Sequence, residues 1–572
     1  MYTRESSRRI GFILFQTLVL VLFAMGWLFE PVGTVRSAGP YIVNTTSDGP
    51  DSDVTDGICY SNVALGCSLR AAVQQASHDG STTITFFSGL AGQTLYLANA
   101  YGPIVMDGNG VYLDGGWSNN IAVSGQYLAA GQSVFQIEGN NNNIVYLTVR
   151  DAPQDGIQVG DLRNDGSGNT NIINYTKLIH NGASGVFIYG GSAGGGIDNF
   201  IEQSFIGASS WASTTCNSGE ANGDGIYVAS GTLTTTIYSN LIVCNDGNGI
   251  YLYGASYVSV RGNYIGNNAV NAMSNAGNGI LIQGADAQHN LIGGDVALDR
   301  NYIGGNSQDG ILLDGAPYNE IKANLIGLSH DGLSAIPNQW AGIAVVDHAD
   351  HTTIGYFSTD PLFISGNLRE GIYVADSSNL YVGWSTNIGV KNDDDYSPLG
   401  NDLEGIKLDS GVVNAEVYPM EVAYNGAAGV AAVSKNRIEP VFDYRNGGLA
   451  IDLGNDGPTP NDAGGVGLGP DGWLDYPKIT SVNGQLISGI SCPGCHVFIC
   501  VAVGNPAANG GGYIMQYPNE AVADGSGVWS FALFSYTGAG QVTLIARAPD
   551  GSGNGTSEPS PRLRLYLPLV RR

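Results

Sequence analysis

The sequence predicts an all-β protein: a right-handed parallel β-helix (a solenoid) followed by a small β-sandwich domain. The first observation is a repeated unit that opens with Gly followed by Ile, Val or Leu. The second is an Asn-x-Ile signature between these openings, as in NYIG at 263–266 and NLIG at 324–327. The third is the alternation of apolar residues within each short piece, which is typical of strands. The openings are Gly156, Gly185, Gly225, Gly249, Gly279, Gly310, Gly342, Gly371, Gly405, Gly429 and Gly448.

The spacing of these openings indicates one solenoid coil per unit. They follow one another at intervals of 19 to 40 residues, which is room for two or three short strands and their turns. One coil cannot bury its apolar face alone, whereas stacked coils can. A right-handed solenoid is expected because parallel crossover connections are nearly always right-handed. A leucine-rich horseshoe is the structural alternative, but the Leu-x-Leu framework that it needs is absent.

The composition fits a β protein and limits the partners. Gly accounts for 84 of 572 residues and charged residues for only 13%, which suits a Gly-punctuated β chain better than a soluble helical one. The formal net charge is −27, and we find no basic stripe apart from the two ends of the chain. Double-stranded nucleic acid and anionic membrane surfaces are therefore excluded as partners.

Residues 1–38 have the pattern of a signal peptide. Arg4, Arg8 and Arg9 precede an apolar run over 10–29, and small residues follow at Ser37 and Ala38. The run is long for a signal peptide, so an uncleaved membrane anchor is the alternative. No other segment is long and apolar enough to span a bilayer, and no membrane insertion is expected after cleavage.

The segment CSLRAAVQQA (67–76) reads as a short amphipathic helix with Leu69, Ala72, Val73 and Ala76 on one face. It resembles the N-terminal module of bacterial secreted proteins named for a Cys-Ser-Leu-Arg-Glu-Ala (CSLREA) motif, which precedes a right-handed parallel β-helix. The match departs at Ala71, where the family has Glu. The resemblance implies a capping module over 39–80 in front of coils over 81–452, pinned by a disulfide between Cys59 and Cys67.

The C-terminal part of the chain also resembles this family. A junction rich in Gly, Asp and Asn over 453–477 precedes strands with turns over 478–562, which resemble an Ig-like or carboxypeptidase-regulatory-like sandwich. Residues 563–572 are either its last strand or a sorting tail. The family is defined by architecture, so the resemblance implies a secreted or surface protein of a bacterium and no particular reaction.

The seven cysteines fit an oxidising exterior. Cys216 and Cys244 lie one repeat apart, and Cys492 and Cys495 belong to CPGCH (492–496), which matches the attachment pattern of c-type haem. His496 begins an alternating run that predicts a strand, so we interpret the motif as a turn with a local disulfide and expect no haem there. Because the cysteine count is odd, at least one thiol stays free or pairs between chains.

Two acidic loops are candidate calcium sites, since calcium prefers several oxygen ligands on a flexible loop. Neither loop reproduces the spacing of an EF-hand, and Asp-Gly pairs are also ordinary turn formers. The candidate ligands are Asp48, Asp51, Asp53 and Asp56 in the first loop and Asp452, Asp456 and Asp462 in the second.

Four aspartates are weak candidates for catalysis because each follows the strand that opens a coil. Stacked coils would bring such carboxylates together, and paired carboxylates can perform acid–base chemistry. Their register is imperfect, and Asp at a strand end is first of all a turn residue. The four are Asp314, Asp347, Asp376 and Asp409.

Aromatic residues recur at outward positions of the opening strands. On a rigid sheet, such rings can stack against sugars while their hydroxyl groups form hydrogen bonds. The alternative is that Tyr is present for its β-propensity alone. The predicted ligand-binding residues are Phe187, Tyr189, Tyr227, Tyr251, Tyr253 and Tyr373.

Two functions remain open at this point. The first, which we favour, is a monomeric binding protein of the cell exterior that recognises carbohydrate or another surface ligand through the aromatic face. The second is a secreted polysaccharide hydrolase or lyase that uses the aspartates on the coils. The scattered Lys and Arg residues argue against a lyase for acidic polysaccharides, but the sequence does not decide whether the protein is an enzyme.

Overall fold

A computed structural model describes residues 40–439, 442–457, 461, 474–483, 486–502, 519–532, 540–547, 556–557 and 563–565. The predicted signal peptide, Asp462, most of the junction and residues 566–572 lie outside the described residues. Among the described helices, none has the length and apolar character needed to cross a membrane.

Three long parallel sheets form the coil region, and each coil contributes one strand to each sheet. We call them sheet 1, sheet 2 and sheet 3; along each coil the chain passes from sheet 2 to sheet 1 and then to sheet 3. Sheet 1 contains Tyr41–Val43, Thr83–Phe86, Tyr112–Asp114, Asn143–Val145, Ile172–Asn174, Phe200–Glu202, Thr236–Tyr238, Ser259–Arg261, Leu291–Ile292, Glu320–Ile321, Thr353–Ile354, Tyr381–Val382, Glu416–Val417 and Arg437–Ile438.

Sheets 2 and 3 have one strand fewer. Sheet 2 contains Ile104–Met106, Phe135–Ile137, Ile157–Gly160, Ser184–Tyr189, Asp224–Val228, Ile250–Tyr253, Ile280–Gln283, Ile311–Asp314, Ile343–Val346, Ile372–Val374, Ile406–Leu408, Val430–Ala432 and Ile451–Leu453. Sheet 3 contains Thr94–Tyr96, Ile121–Ser124, Leu147–Arg150, Lys177–Ile179, Phe205–Ile206, Leu241–Ile242, Tyr264–Ile265, Tyr302–Ile303, Leu325–Ile326, Leu362–Ile364, Thr386–Ile388, Glu421–Ala423 and Phe442–Tyr444.

The repeated Gly before each sheet 2 strand is required by close packing between coils. A Cβ atom at Gly249 would lie 2.7 Å from the carbonyl oxygen of Gly279 and 2.8 Å from a methyl carbon of Ile265. Only Gly fits at such a distance. The following residue points inward, so Ile226, Ile250 and Ile280 pair in register and are fully buried.

A ladder of ten buried asparagines runs along the turn from sheet 3 to sheet 2. In each step the side-chain amide donates a hydrogen bond to the side-chain oxygen of the next coil, over distances of 2.8 to 3.0 Å. The ladder satisfies polar groups that a solenoid turn would otherwise bury without partners. Its members are Asn181, Asn222, Asn245, Asn275, Asn306, Asn338, Asn367, Asn401, Asn425 and Asn446.

The predicted amphipathic helix covers Leu69–Asp79 and buries Leu69, Ala72, Val73 and Ala76. Ser68 is its N-cap and accepts a hydrogen bond from the backbone N–H of Ala71. A buried side chain, Arg70, ties the helix to its surroundings: it donates to both carboxylate oxygens of Asp48 at 2.9 Å and to the carbonyl groups of residues 101, 102 and 103.

Two small antiparallel sheets follow the coils. One contains Lys478–Asn483, Leu486–Ile490 and Val528–Ala532; the other contains Asn519–Val522, His496–Ala502, Gly540–Arg547 and Leu563–Leu565. Both sheets contribute to one buried apolar cluster that includes Trp529, Ile487, Val497 and Leu544. The fold is thus a parallel solenoid followed by a small pair of antiparallel sheets.

Candidate functional site

Sheet 2 brings most of the predicted aromatic residues together. Phe187 pairs with Tyr227 and Tyr227 pairs with Tyr251 on three consecutive coils, all at the same outward position. Tyr189 and Tyr253 lie two residues further along the first and third of these strands. We call these five residues the aromatic ridge.

The rings of the ridge cover one another to different degrees. Tyr227 and Tyr251 stack with centroids 4.7 Å apart, and Phe187 packs edge-on against Tyr227 at 5.2 Å. The faces of Tyr227 and Tyr251 are therefore partly occupied by each other, whereas Tyr189 and Tyr253 are 37% and 45% exposed. Ring surface for a ligand is offered mainly by this exposed pair.

A chain of polar side chains extends the ridge across the next two coils. The Tyr251 hydroxyl donates to the Gln283 side-chain oxygen at 2.6 Å, and the Gln283 amide donates to Asp314 at 2.6 Å. Burial raises the pKa of Tyr251 to about 12, so its hydroxyl remains a neutral donor at neutral pH. The sequence prediction missed Gln283; the register of its strand against Tyr253 would have indicated it.

Tyr373 lies on the outer face of sheet 2, as predicted, but at a distance from the aromatic ridge along the sheet. It shares the outward position of Tyr251, but Leu281, Leu312 and Ala344 occupy the three coils between them. Its ring lies beside Lys407, whose Nζ atom is 5.9 Å from the ring centroid.

The four candidate catalytic aspartates do not form one column. Asp314 pairs in register with Val346, so Asp347 is displaced by one position from it. Asp347 and Asp376 share the next position, where both have left-handed φ, on neighbouring coils. Asp409 is within 3.4 Å of the Tyr373 hydroxyl and 3.9 Å of Lys407. The predicted set therefore divides into separate groups because Asp follows the strand at different distances.

A second row of acids lies at the other end of the sheet 2 strands, two residues before the first inward side chain. Asp155, Asp224 and Asp309 accept hydrogen bonds from the backbone N–H of the next coil, at 3.0, 2.6 and 2.8 Å. Burial raises the pKa of all three, and that of Asp309 to about 7. Their common position directly before the repeated Gly is a signal that the sequence prediction did not use.

The first candidate calcium loop is occupied by its own hydrogen bonds. Asp48 is paired with Arg70, Asp51 accepts from the backbone N–H groups of residues 53 and 60, and Asp53 and Asp56 accept from N–H groups two residues further on. In the second loop Asp452 accepts from the backbone N–H of Asp456 and of residue 457. Within the described ranges, no group of three or more His, Cys, Asp or Glu residues is placed to hold a metal ion.

Six cysteines form three disulfides. Cys59 is bonded to Cys67, Cys216 to Cys244 and Cys492 to Cys495. The last bond closes the turn before the strand His496–Ala502, and His496 pairs with Glu520 on the neighbouring strand. As long as this bond is intact, neither thiol of CPGCH is free to attach haem.

Comparisons with known proteins concern mainly the fold. A family model described as a right-handed beta helix region matches residues 134–291. No curated protein sequence matches the chain. Among solved structures, the A-module of mannuronan C-5 epimerase AlgE6 from Azotobacter vinelandii is 15% identical, with 72% of this chain and 97% of that chain covered and a TM-score of 0.45.

Two further solved structures resemble the chain at a similar level. The A-module of mannuronan C-5 epimerase AlgE4 from Azotobacter vinelandii is 16% identical, with coverages of 61% and 90% and a TM-score of 0.41. The catalytic unit of a GH87 α-1,3-glucanase from Streptomyces thermodiastaticus is 13% identical, with coverages of 74% and 66% and a TM-score of 0.32. Together with the three parallel sheets, the matched region identifies the coils as a right-handed parallel β-helix.

Proposed function

We propose that this is a bacterial protein of the cell exterior that binds polysaccharide along the outer face of sheet 2. The observation that carries the proposal is the aromatic ridge, in which five rings lie together on three consecutive coils and continue into Gln283 and Asp314. A rigid surface that alternates ring faces with hydroxyl, amide and carboxylate groups suits sugar rings.

The charge of the chain favours a neutral polysaccharide. The formal net charge is −27, and the ridge and its polar extension contain no Lys or Arg that could pair with a uronate or a sulfate. An anionic polymer would meet repulsion without compensation. The three disulfides support a location outside the cytoplasm, because such bonds persist in oxidising compartments. We also propose that residues 39–80 form a CSLREA-like capping module and that residues 478–562 form an Ig-like sandwich.

Binding is favoured over a polysaccharide-degrading activity. The candidate catalytic aspartates divide between two register positions, with Asp314 and Asp409 separated by two coils. An acid–base pair needs two carboxyl groups at one reacting bond. Only Asp347 and Asp376, among these four, share a position on neighbouring coils, and both belong to turns.

The test measures retention of the full chain on a panel of neutral polysaccharides, by affinity gel electrophoresis, with an assay for new reducing ends in parallel. The test variant is Tyr189→Ala/Tyr253→Ala, which removes the two most accessible rings of the ridge. The control is Tyr112→Ala, since Tyr112 has a similar exposure of 38% but lies on sheet 1.

We expect the double variant to bind at least about tenfold more weakly, which corresponds to ~1.4 kcal/mol, while the control binds like the wild type. If the double variant binds as tightly as the control variant, the ridge is not the binding surface. Release of new reducing ends by the wild type would instead establish the enzyme alternative.

A further inference from the structure

A second array of rings stacks at the turn that leads from sheet 2 to sheet 1. Tyr257, His289, Tyr318 and His351 lie at equivalent positions of four consecutive coils, and the successive ring centroids are 5.1, 5.6 and 4.6 Å apart. Tyr257 and Tyr318 are 54% and 46% exposed. We call these residues the Tyr/His column.

The column is not required by the fold. All four residues have a left-handed backbone, with φ from 56° to 60°, a conformation that Gly, Asn, Asp and His tolerate better than Tyr does. The same position on other coils is filled by short polar residues: Asn141, Thr170, Asp198 and Thr234 before the column, and Asn379 and Asn414 after it. Rings at four successive coils are therefore a property of this stretch and not of the turn itself, and their stacking provides a favourable contact between coils.

A cleft of about 370 Å³ opens beside the column. Its lining includes Tyr318 and His351 from the column, Tyr356 and Tyr381, and the polar side chains of Glu320 and Thr353. Tyr356 and Tyr381 pack nearly at right angles with centroids 5.4 Å apart. The cleft is thus lined by aromatic rings from more than one part of the coil, together with hydrogen-bonding groups.

Several of these polar groups are free to meet a ligand. Among contacts with described residues, the hydroxyl groups of Tyr318, Tyr356 and Tyr381 make no hydrogen bond, and neither does the Thr353 hydroxyl. A mixture of ring surface and unused hydroxyl groups matches a sugar, which presents C–H faces and hydroxyls together.

The charges beside the cleft select against anionic sugars. The lining contains a carboxylate, Glu320, and no Lys or Arg. Lys322 lies next to it but is paired with Glu320 at 2.8 Å and with Asp295 at 3.3 Å. A uronate or sulfate would find no unpaired cation there.

We propose that the cleft beside the Tyr/His column binds a neutral glycosyl residue of a polysaccharide, as a second site that does not depend on the aromatic ridge. The ridge lies on the outer face of sheet 2, whereas the cleft includes side chains of sheet 1 and its preceding turn. Two sites on one chain would allow the protein to bind one polysaccharide twice or to bridge two polysaccharide chains.

The test uses isothermal titration of the full chain with neutral hexasaccharides (malto-, cello-, laminari- and xylohexaose) and with hexagalacturonate as an anionic comparison. The cleft variant is Tyr318→Asn/His351→Asn, which installs the residue that the fold itself uses at Asn379 and Asn414. Because Asn suits the left-handed turn, this variant is expected to stay folded with a melting temperature close to that of the wild type. Tyr356→Ala is a second variant that leaves the column intact.

We expect two binding sites per wild-type chain for at least one neutral hexasaccharide and no binding of hexagalacturonate. The cleft variant and Tyr356→Ala should lose one site or weaken it at least tenfold, while Tyr189→Ala/Tyr253→Ala should lose only the other. Unchanged binding by both cleft variants overturns this inference but does not affect the proposal that the aromatic ridge binds polysaccharide. If the cleft variants lose one site and the ridge variant binds like the wild type, the proposed binding role of the ridge is wrong and that of the cleft is supported. If no hexasaccharide binds the wild type, or if hexagalacturonate binds the cleft, the inference is wrong.

Discussion

The carboxyl group of Asp309 is buried just before the strand Ile311–Asp314, and this burial raises its pKa from 3.8 to about 7. In the unfolded chain the group loses its proton near pH 4, whereas the folded protein holds it until about pH 7. Folding therefore takes up a proton in this interval. The stability that the neutral acid contributes is complete below pH 4 and is lost as the pH rises through 7.

We predict that Asp309→Asn stabilises the protein at pH 8 and has little effect at pH 4. The upper limit of the gain is ~4 kcal/mol, from about three pKa units at 1.36 kcal/mol each. Asn can keep the hydrogen bond from the Ala341 N–H, and Asn already occupies the equivalent positions at Asn248 and Asn278. Melting temperatures of the variant and the wild type between pH 4 and pH 8 provide the measurement.

The exposed turn residue Asp347 supplies the control, since Asp347→Asn should leave the difference between pH 4 and pH 8 as it is in the wild type. If Asp309→Asn is as stable as the wild type at every pH, burial does not hold the proton on Asp309.

At the scale of one element, Arg70 attaches the helix Leu69–Asp79 to the first coil. We predict that Arg70→Ala lowers the free energy of unfolding of this module by about 3–5 kcal/mol, because Asp48 is left buried without its partner. Hydrogen exchange of the helix amides measures this local opening directly. Arg163→Ala is the matched control: Arg163 also pairs with two carboxylates but is 46% exposed, so its loss should cost less than ~1 kcal/mol. Equal protection in both variants would contradict the structural role of Arg70.

The asparagine ladder is the second element whose contribution can be measured. Asn306→Ala removes a hydrogen-bond donor to Asn338 and an acceptor for Asn275. We expect the free energy of unfolding to fall by about 1–3 kcal/mol. Asn306→Asp should lower the free energy of unfolding further at pH 7, because a carboxylate cannot donate a hydrogen bond to the Asn338 side-chain oxygen. Acidification, which protonates the carboxylate, should restore part of that stability. Denaturation in urea at pH 7 and pH 4 measures both, with exposed Asn99→Ala as a neutral control. A fully stable Asn306→Asp variant at pH 7 would show that the ladder polarity is unimportant.

These elements also show what the sequence could and could not predict. The Gly–Ile openings predict the sheet 2 strands, because both the absence of a Cβ and the inward Ile are fixed by stacking. The aromatic ridge could also be predicted, because residues alternate between inward and outward positions along these strands. The Tyr/His column is harder to find, because its signal is a left-handed φ rather than a pattern of hydropathy. A ring directly before a buried polar residue, as in His289-Asn290 and Tyr318-Asn319, is typical of a left-handed turn in this chain. It does not single out the column, because the same pattern occurs at Tyr175-Thr176 and Tyr424-Asn425.

At the scale of the whole molecule, the formal net charge of −27 is a general source of repulsion. We predict that the melting temperature at pH 8 rises as NaCl is increased from ~0.01 M to ~1 M, since the screening length falls from about 30 Å to about 3 Å. Near the isoelectric point of about 4.3 the same salt series should have a much smaller effect. Equal salt effects at both pH values would show that screening of net charge is not the cause.

The asparagine ladder has a further consequence for the chemical lifetime of the protein. Four ladder residues, Asn181, Asn222, Asn425 and Asn446, are each followed by Gly. Deamidation at such a pair requires the next backbone nitrogen to attack the side-chain amide carbon. In the ladder each of these amides is buried and held by a neighbouring coil, so it cannot turn toward that nitrogen while the coils stay stacked. Slow ageing should therefore begin at exposed pairs such as Asn109-Gly110, and the interior asparagines should keep their amides for as long as the solenoid stays folded.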